Sequence, residues 1–546
     1  MSEPPRFDAV VIGAGFAGLY MVKRLVDDGF TVRAYETGSD VGGTWYWNRY
    51  PGARCDLESV DYSYSFSPEL DEEWQWSERY AAQPEILSYL NHVADRFGLR
   101  RHFVFGTTVT TAVFHEQCDR WLVSTDSGEQ VEATYFILAS GVVSTPKPPE
   151  IDGLNRFQGA TYHTGRWPHE GVDFSGQRVG VIGTGSSGVQ SIPLIAEQAE
   201  RLVVFQRTAN YTVPCLNHPV DASARERLAR NRAQRRSESR VSRFGVPYDF
   251  PTVSALDVGE DERTAAYQRA WDDSHLLAFR LTYDDILTSE EANDTLAEFL
   301  RDKIAELVHD PDTAAALMPR SFPFGTKRPC LGTAYYETFN RDNVQLVDLR
   351  RSPIVSATTE GLETTDAAYQ FDSLVFATGY DALTGAVLRI DIRGKDKVLL
   401  REQWASGPST LLGLAVHNFP NLFLIAGPGS PGPLSNVVLS IEQHVEWISD
   451  CLVWMRDNGV ARIEADADAE RAWFAHVQEV VGQTLYLRAD SWYLGANVPG
   501  KPRVFMPYIG GVGVFREKCD EVAARGYAGF RLSSAVKSGD VTGAGA

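Results

Sequence analysis

Two glycine-rich turns, each between a strand pattern and a helix pattern, constrain the fold of this chain more than any other feature. In the first, the apolar run Ala9–Ile12 leads into Gly13-Ala-Gly-Phe-Ala-Gly18, and a helical pattern follows. In the second, Val179–Ile182 leads into Gly183-Thr-Gly-Ser-Ser-Gly188, again followed by a helical pattern. A strand, a tight glycine turn and a helix open a Rossmann βαβ unit, whose helix N-terminus binds a pyrophosphate. The sequence therefore predicts an α/β fold with two Rossmann-like dinucleotide-binding domains.

The residue that ends the second strand of each unit distinguishes the two predicted nucleotide sites. After the first turn, the strand pattern Thr31–Tyr35 ends at Glu36, where a carboxylate accepts hydrogen bonds from ribose hydroxyls. After the second, Leu202–Phe205 is followed by Arg207, whose guanidinium would pair with a 2′-phosphate. We predict FAD at the first site and NADPH at the second; the alternatives are that one turn is only structural, or that Arg207 is an ordinary surface residue. The predicted contacts are Gly13, Gly15, Gly18 and Glu36 at the first site and Thr184, Gly185, Ser186, Ser187, Gly188, Gln190, Arg207 and Thr208 at the second.

Charge and cysteine usage limit the possible partners. The chain has 546 residues, with 52 basic and 72 acidic side chains and a formal net charge of −20. Such an acidic surface argues against a nucleic-acid or anionic-membrane partner. The six cysteines include no C-x-x-C pair, which suits a reducing cytosol and excludes the usual zinc spacings. With no signal peptide before the first strand pattern, we expect a soluble cytoplasmic protein without a metal site. The sequence leaves the oligomeric state open, with a monomer among the possibilities.

Shifts in composition divide the chain into domains. Between residues 217 and 325 glycine becomes scarce and charged residues dominate, which predicts a helical insertion. Its basic stretch Arg225–Arg243 is interpreted as a solvated helix face rather than as a binding patch. The small, polar tail 533–546 is expected to be disordered. The predicted FAD domain comprises residues 1–145 and 380–532, and the predicted NADP domain comprises residues 146–216 and 326–379 around the insertion.

Two further segments separate this chain from other flavoproteins with two dinucleotide sites. Residues 157–168 read Phe-Gln-Gly-Ala-Thr-Tyr-His-Thr-Gly-Arg-Trp-Pro, and residues 42–56 contain Gly-Gly-Thr-Trp, Tyr-Pro-Gly and a final Asp. The first segment matches the signature F-x-G-x-x-x-H-x-x-x-W-P of type I Baeyer–Villiger monooxygenases. The second matches the other signature of this family, which consists of G-G-x-W, then Y-P-G and a terminal Asp. The chain resembles the steroid and phenylacetone monooxygenase branch over nearly its whole length, notably at Thr326–Arg328, Tyr335–Thr338 and Ser491–Phe505. A disulfide reductase is excluded because Cys55 has no neighbouring cysteine.

The resemblance implies an oxygenation that consumes NADPH. In this family NADPH reduces FAD, oxygen forms a flavin peroxide, and one oxygen atom enters a ketone to give an ester or a lactone; sulfides are a further implied substrate class. Arg328 would be the fixed cation beside the peroxide and Asp56 would hold it, so these are the predicted catalytic residues. His163 is interpreted as a contact between domains rather than as a general base. The other cofactor contacts implied by the family pattern are Thr44, Trp45, Arg54, Asp56, Tyr62, Val109, Lys327 and Trp492.

The segment Gly427–Leu434 aligns with a loop that lines the ketone pocket in relatives. Gly432 and Pro433 depart from the small polar and apolar residues expected there, whereas Leu434 and Val437 would form an apolar wall. These four residues are the predicted substrate pocket, for a hydrophobic aryl, cyclic or steroid ketone that reacts with O2. Two other functions remain open at this point. One is a flavin monooxygenase that acts on amine nitrogen or sulfur, and the other is a catalytically idle dinucleotide-binding or sensor protein.

Overall fold

Two large sheets and three small ones form the framework of the chain. A computed structural model describes residues 3–534, and the strands below are those of this part of the chain. In chain order they are β1 (Arg6–Ile12), β2 (Val32–Tyr35), β3 (Phe103–Val104), β4 (Val109–His115), β5 (Arg120–Thr125), β6 (Gln130–Leu138), β7 (Ala160–His163), β8 (Arg178–Ile182), β9 (Arg201–Gln206), β10 (Thr212–Pro214), β11 (Cys330–Gly332), β12 (Val344–Asp348), β13 (Ile354–Ala357), β14 (Gly361–Thr364), β15 (Ala368–Gln370), β16 (Ser373–Phe376), β17 (Asp391–Arg393), β18 (Leu422–Leu424), β19 (Val460–Ala465) and β20 (Phe530–Ser534).

The first large sheet carries the first glycine turn. Its strand order is β17-β4-β5-β6-β1-β2-β3, with β18 paired to β6. Strand β1 is parallel to both of its neighbours, so that Ile12 at its end pairs with Tyr35 of β2 and with Leu138 of β6. Because the carboxyl ends of parallel strands meet at one edge of the sheet, the turn that follows β1 and Glu36 after β2 come together there.

The second large sheet carries the second glycine turn and is parallel throughout. Its order is β12-β9-β8-β16-β7. Strands β8 and β9 are buried along nearly their whole length, as expected for a parallel sheet covered on both faces. The small sheets are β13-β14-β15, β10-β11 and β19-β20.

The helices cover the faces of the sheets and build the insertion. Helix α1 follows the first turn and packs against α12, with Leu19, Val22 and Leu25 buried in their common core. In chain order the helices are α1 (Phe16–Asp27), α2 (Thr44–Trp47), α3 (Pro68–Glu73), α4 (Gln83–Arg96), α5 (Ser186–Gln198), α6 (Ala222–Val241), α7 (Glu260–Asp272), α8 (Glu290–Leu307), α9 (Pro311–Leu317), α10 (Gly385–Leu388), α11 (Leu400–Gln403), α12 (Val437–Asp457), α13 (Ala467–Gly482) and α14 (Val512–Ala524).

Residues 217–325 form α6 to α9 and contain no strand. Helix α6 carries the basic stretch, and Ser239 is its one buried residue. The interpretation of this stretch as a solvated face is wrong for its second half. Arg235 donates from Nε to Asp61 Oδ1 over 2.8 Å, and Arg236 donates from Nη2 to Asp71 Oδ1 over 2.9 Å. The carboxylates that hold α6 lie more than a hundred residues away in the chain, so nothing local indicated them.

The predicted start of the disordered tail is two residues too early. Ser533 and Ser534 belong to β20, where they pair with Arg462 and Val460 of β19. The antiparallel partner strand orders these small polar residues, which have little strand preference of their own. The remaining part of the predicted tail, 535–546, lies outside the described residues.

Two features of the described chain bear on its surroundings. From residue 3 to residue 534, no helix has both the length and the apolar composition that crossing a membrane requires. Over the same residues all six cysteines are free thiols, and four of them, Cys55, Cys330, Cys451 and Cys519, are buried.

Candidate active site

A bidentate ion pair joins Asp56, in the segment that follows the first glycine turn, to Arg328, which stands just before β11. Arg328 donates from Nε to Asp56 Oδ2 over 2.6 Å and from Nη2 to Oδ1 over 2.8 Å. Its Nη1 donates to the backbone oxygen of Pro433 over 3.1 Å. Burial lowers the pKa of Arg328, but the Asp56 carboxylate more than offsets this effect, and the pKa of the guanidinium is raised above its ordinary value. Arg328 is thus a guanidinium that stays charged, is held in one orientation by Asp56 and keeps N–H groups free for a further acceptor.

Backbone pairing fixes both partners of this ion pair. The residue before Asp56, Cys55, donates its N–H to the oxygen of Ala81 over 3.1 Å. Arg328 stands two residues before β11, whose first residue Cys330 donates its N–H to the oxygen of Tyr211 over 2.9 Å. Each side chain therefore extends from a stretch held by a neighbouring strand or loop, although 272 residues separate the two in sequence.

The first glycine turn, the Gly-Gly-Thr-Trp segment and Tyr62 form one continuous surface. A Cβ on Gly15 would stand 3.3 Å from the Cα of Gly43, directly before Thr44 at the start of α2. Trp45 Nε1 donates to the hydroxyl of Tyr62 over 3.1 Å. The structure therefore brings together the residues predicted around FAD in this region.

Glu36 completes that surface at the carboxyl end of β2. The side chain is buried, and it accepts hydrogen bonds from the N–H of Ala14 at 2.8 Å and from that of Gly38 at 2.7 Å. Burial raises the pKa of Glu36, and these two N–H groups oppose the rise. Gly13 has a φ of +106°, and a Cβ there would lie 2.6 Å from the oxygen of Ala139. Together with the uncapped N-terminus of α1, this arrangement fits the adenosine and pyrophosphate of FAD.

Two of the predicted cofactor contacts lie apart from this surface. Val109, the first residue of β4, is buried in a core cluster of the first sheet with Tyr35, so only its backbone is available to a ligand. Arg54 donates from Nη1 to Glu78 Oε2 over 2.7 Å and also to the oxygen of Tyr80. Its guanidinium is therefore held inside the protein, and a contact with cofactor stays a prediction for both residues.

The second glycine turn has the features of a phosphate site. Gly183 has a φ of +110°, and a Cβ there would collide with the oxygen of Ala377. No described atom lies within 4 Å of the place that a Cβ on Gly185 would take, and Gly185 precedes α5 without any side-chain cap. The N–H groups at the start of α5 thus face open space, which fits the pyrophosphate of NADPH. Thr184 Oγ1 donates to the oxygen of Thr208 over 3.3 Å and joins the turn to the end of β9.

Two cations stand beside this turn. Arg207 is exposed directly after β9, and within residues 3–534 neither it nor Lys327 forms an ion pair. The pKa of Lys327 is lowered, chiefly by burial and further by repulsion from Arg207, while Asp490 opposes the shift. Two neighbouring positive charges of this kind suit a 2′-phosphate.

The other predicted residues of the second turn contact protein groups. The hydroxyl of Tyr50 donates to Gln190 Oε1 over 2.8 Å, and Gln190 Nε2 donates to the oxygen of Arg54 over 3.1 Å. Gln190 thereby connects α5 to the segment that leads to Asp56. Ser187 Oγ accepts from the hydroxyl of Thr164 at 3.2 Å, and the hydroxyl of Ser186 lies 3.6 Å from the sulfur of Cys330.

His163 lies where the chain passes between the two large sheets. Its Nε2 is 3.1 Å from the oxygen of Lys147, in the segment between β6 and β7, and 3.2 Å from the hydroxyl of Thr378, in the segment between β16 and β17. Its Nδ1 accepts the N–H of Gly165 at 2.9 Å. Burial lowers the pKa of His163, which favours the neutral ring. These contacts agree with a connecting role rather than with proton transfer.

The predicted substrate wall adjoins the Asp56–Arg328 pair. Gly432–Leu434 form a short buried turn, in which Pro433 accepts the hydrogen bond from Arg328. Val437, half-buried, begins α12 directly after Asn436, whose side chain caps the helix and donates to the oxygen of Asp61 over 2.7 Å. The turn and the loop after Asp56 are therefore tied together.

Trp492 begins a short turn, and its neighbour Tyr493 is a site residue that was not predicted from the sequence. The ring centroids of the two residues are 4.3 Å apart. Tyr493 is buried beside Arg328; burial raises its pKa and the arginine opposes the rise. No sequence signal marked Tyr493 as a neighbour of Arg328, because it lies in a segment with other aromatic residues.

These sites together define a flavoprotein monooxygenase with two dinucleotide sites and an arginine between them. The family described as flavin-binding monooxygenase-like matches residues 8–221. A Baeyer–Villiger monooxygenase of Pseudooceanicola batsensis is 43% identical over 95% of both chains, and cyclohexanone 1,2-monooxygenase of an Acinetobacter species is 40% identical over 97% of this chain and 98% of its own. The solved structure of an oxidized steroid monooxygenase bound to NADP is 51% identical, with a TM-score of 0.93 over 97% of this chain and all of that one.

The chain belongs to the Baeyer–Villiger monooxygenases of the flavin-binding monooxygenase-like family. The predictions of this family, of an α/β fold with two Rossmann-like domains, and of an FAD- and NADP-dependent monooxygenase are confirmed. The idle nucleotide-binding protein that the sequence left open is thereby disfavoured.

Proposed function

We propose that this enzyme oxygenates ketones with apolar substituents and releases esters or lactones, using FAD, NADPH and O2. The observation that carries the proposal is the largely buried Asp56–Arg328 pair, which contacts the Gly432–Leu434 turn. Bound FAD, reduced by NADPH, supplies the activation of oxygen. Arg328 supplies a positive charge that persists at any working pH and stabilises negative charge on the reacting oxygen atoms.

The cofactors would be held by the residues already described. Glu36 would accept from the ribose of FAD, the N-terminus of α1 would bind its pyrophosphate, and Trp45 and Tyr62 would contact the flavin ring. The N-terminus of α5 would bind the pyrophosphate of NADPH, and Arg207 with Lys327 its 2′-phosphate. Asp56 would fix the orientation of Arg328 without touching the substrate.

The finer parts of the proposal concern substrate, domains and location. Cyclohexanone and a steroid appear in the names of two relatives, which supports an apolar ketone here, and sulfides are proposed as further substrates.

We propose the domain boundaries given above, since every strand of the first large sheet falls within residues 1–145 and 380–532, and every strand of the second within 146–216 and 326–379. A cytoplasmic location is supported by the free thiols.

The proposed reaction is tested with the purified yellow protein. NADPH oxidation is followed with phenylacetone, progesterone, cyclohexanone and a tertiary amine supplied separately, and the products are identified by mass spectrometry. An ester or lactone from at least one ketone is the expected result. An N-oxide as the one oxygenated product would contradict the proposal and favour a nitrogen monooxygenase.

Gly185→Ala is expected to weaken NADPH binding without destabilising the protein. The backbone of Gly185, with φ −83°, accepts an alanine, and the described chain leaves its Cβ free of contacts. The methyl group would occupy the space that a pyrophosphate needs, so the KM for NADPH should rise by about tenfold. Gly188→Ala is the matched control, because its Cβ would collide with the oxygen of Gly183 and lower the unfolding temperature. An unchanged KM for NADPH in Gly185→Ala would show that the second glycine turn is not part of the cofactor site.

Arg207→Gln is expected to remove the preference for NADPH over NADH. Loss of a charge-assisted contact to the 2′-phosphate should raise the KM for NADPH by about tenfold to one-hundredfold. The KM for NADH should change little, since NADH has no phosphate there. Arg201→Gln, at the opposite end of β9, serves as the control. An equal rise in the KM values for NADPH and NADH would show that Arg207 does not contact the 2′-phosphate.

A further inference from the structure

A small cavity extends behind the predicted ketone wall. Its volume is about 100 Å³, and it lies between the helical insertion and the C-terminal part of the chain. Leu434 of the wall lines it, one residue from the Pro433 oxygen that accepts from Arg328. The other residues on which the argument depends are Arg243, Phe244, Arg280, Leu287 and Tyr486.

Two arginines, Arg243 and Arg280, both lie close to the ring of Phe244. The guanidinium carbon of Arg280 is 4.7 Å from the centre of that ring, and that of Arg243 is 6.0 Å from it. Within residues 3–534 neither arginine forms an ion pair or a side-chain hydrogen bond; Asp284, the one carboxylate that lines the cavity, is exposed. The pKa of Arg243 is lowered by partial burial and by repulsion from Arg280. The chain thus places two like charges together without a carboxylate to neutralise them.

Two further polar groups at the cavity have no partner. Tyr486 is 1% exposed, and its hydroxyl is buried without any hydrogen bond in the described chain. The same holds for Nε of Arg280. Buried hydroxyl and guanidinium groups are almost always hydrogen-bonded in native proteins, so an unsatisfied cluster indicates a missing acceptor. The guanidinium groups only donate and the hydroxyl of Tyr486 can also donate, which favours an anionic ligand.

We infer that Arg243, Arg280 and Tyr486 form a carboxylate subsite, and that the preferred ketones carry a carboxylate beyond an apolar spacer. The inference rests on the proposed function, because it places the carbonyl at Arg328 and the acid group behind Leu434. Leu287 and Leu434 line the cavity, and Leu434 directly follows Pro433, whose oxygen accepts from Arg328. A cavity of about 100 Å³ accommodates a carboxylate with some water, but not a nucleotide or a second ring system. Planar carboxylates also match the fork of donors that arginine presents.

The test compares 7-oxooctanoate with its methyl ester, two methyl ketones with the same carbon chain that end in a charged carboxylate or in a neutral ester. In the wild-type enzyme kcat/KM for the acid should exceed that for the ester by about tenfold. In Arg280→Gln and Arg243→Gln this ratio should fall to near one, and Arg280→Lys should keep part of it. Arg230→Gln, on the exposed side of α6, is the control and should keep the wild-type ratio.

A binding measurement separates this inference from the proposed function. Calorimetric titration of 7-oxooctanoate into the FAD-loaded protein, without NADPH, should give a Kd that rises about tenfold in Arg280→Gln and also rises with salt. If the ester is oxygenated but the acid has no advantage that depends on the arginines, the subsite is wrong and the proposed function stands. If no ketone is oxygenated, the proposed function fails, and the titration alone decides the subsite: a Kd unchanged by Arg280→Gln overturns it. Should Arg280→Gln fail to fold, Arg243→Gln at the exposed mouth gives the same comparison.

Discussion

Arg328→Ala is expected to remove nearly all ester formation while NADPH still reduces the bound flavin. The substitution removes the one positive charge that Asp56 holds against the substrate wall. Losing a preorganised donor to developing negative charge lowers turnover by about 10²- to 10³-fold. NADPH should still be consumed, with hydrogen peroxide as the product instead of the ester. Anaerobic stopped-flow spectroscopy of the flavin band and mass spectrometry of the products measure the two half-reactions separately.

Two controls complete this experiment. Arg328→Lys keeps the charge but loses the bidentate geometry, and it should form ester at an intermediate rate. Arg350→Ala removes an exposed arginine that pairs with Asp348, and it should behave as wild type. Ester formation by Arg328→Ala at a rate close to wild type would mean that another group stabilises the reacting oxygen.

Asp56→Ala is expected to lower both stability and turnover, because it leaves the Arg328 guanidinium without its counter-charge. Removing one partner of a largely buried pair costs about 2–3 kcal/mol in the free energy of unfolding. Ester formation should fall by about 10²-fold, since Arg328 loses the contact that fixes its orientation. Urea denaturation of the FAD-loaded protein measures the first effect and product analysis the second.

The double substitution distinguishes a positioning role from a purely structural one. Asp56→Ala with Arg328→Ala removes both charges, so it should be no less stable than Asp56→Ala alone, with a turnover as low as that of Arg328→Ala. Asp56→Asn keeps the shape and one acceptor, and it should recover part of the ester formation. Additive losses of stability in the double variant would contradict the coupling of the two residues.

The parts of the site that depend on local sequence could be predicted. The glycine turns, Glu36 and Arg207 follow from the order of strand, turn and helix, because parallel strands bring their carboxyl ends to one edge. Asp56 and Arg328 came from the family pattern instead. Their contact across 272 residues agrees with that pattern, but no local rule indicates it.

The parts that depend on long-range packing could not be predicted. The ion pairs of Arg235 and Arg236 are formed with carboxylates more than 160 residues away in the chain, so the sequence of this polar helix indicated a solvated face. Tyr493, the oxygen of Pro433 and the cluster of Arg243, Arg280 and Tyr486 come together through tertiary contacts alone. The sequence identifies the hydrogen-bond donors of the chain, whereas the fold determines which of these donors have no acceptor.

The most direct test of the central claim follows the oxygen atom itself. Phenylacetone, or the best ketone of the panel, is converted under ¹⁸O2 with NADPH, and the ester is examined by mass spectrometry. The proposed oxygenation predicts one ¹⁸O atom in each ester molecule that the wild type forms, and little ester from Arg328→Ala. Ketone recovered unchanged across the whole panel, with all the ¹⁸O in hydrogen peroxide, would contradict the proposal that this enzyme oxygenates ketones.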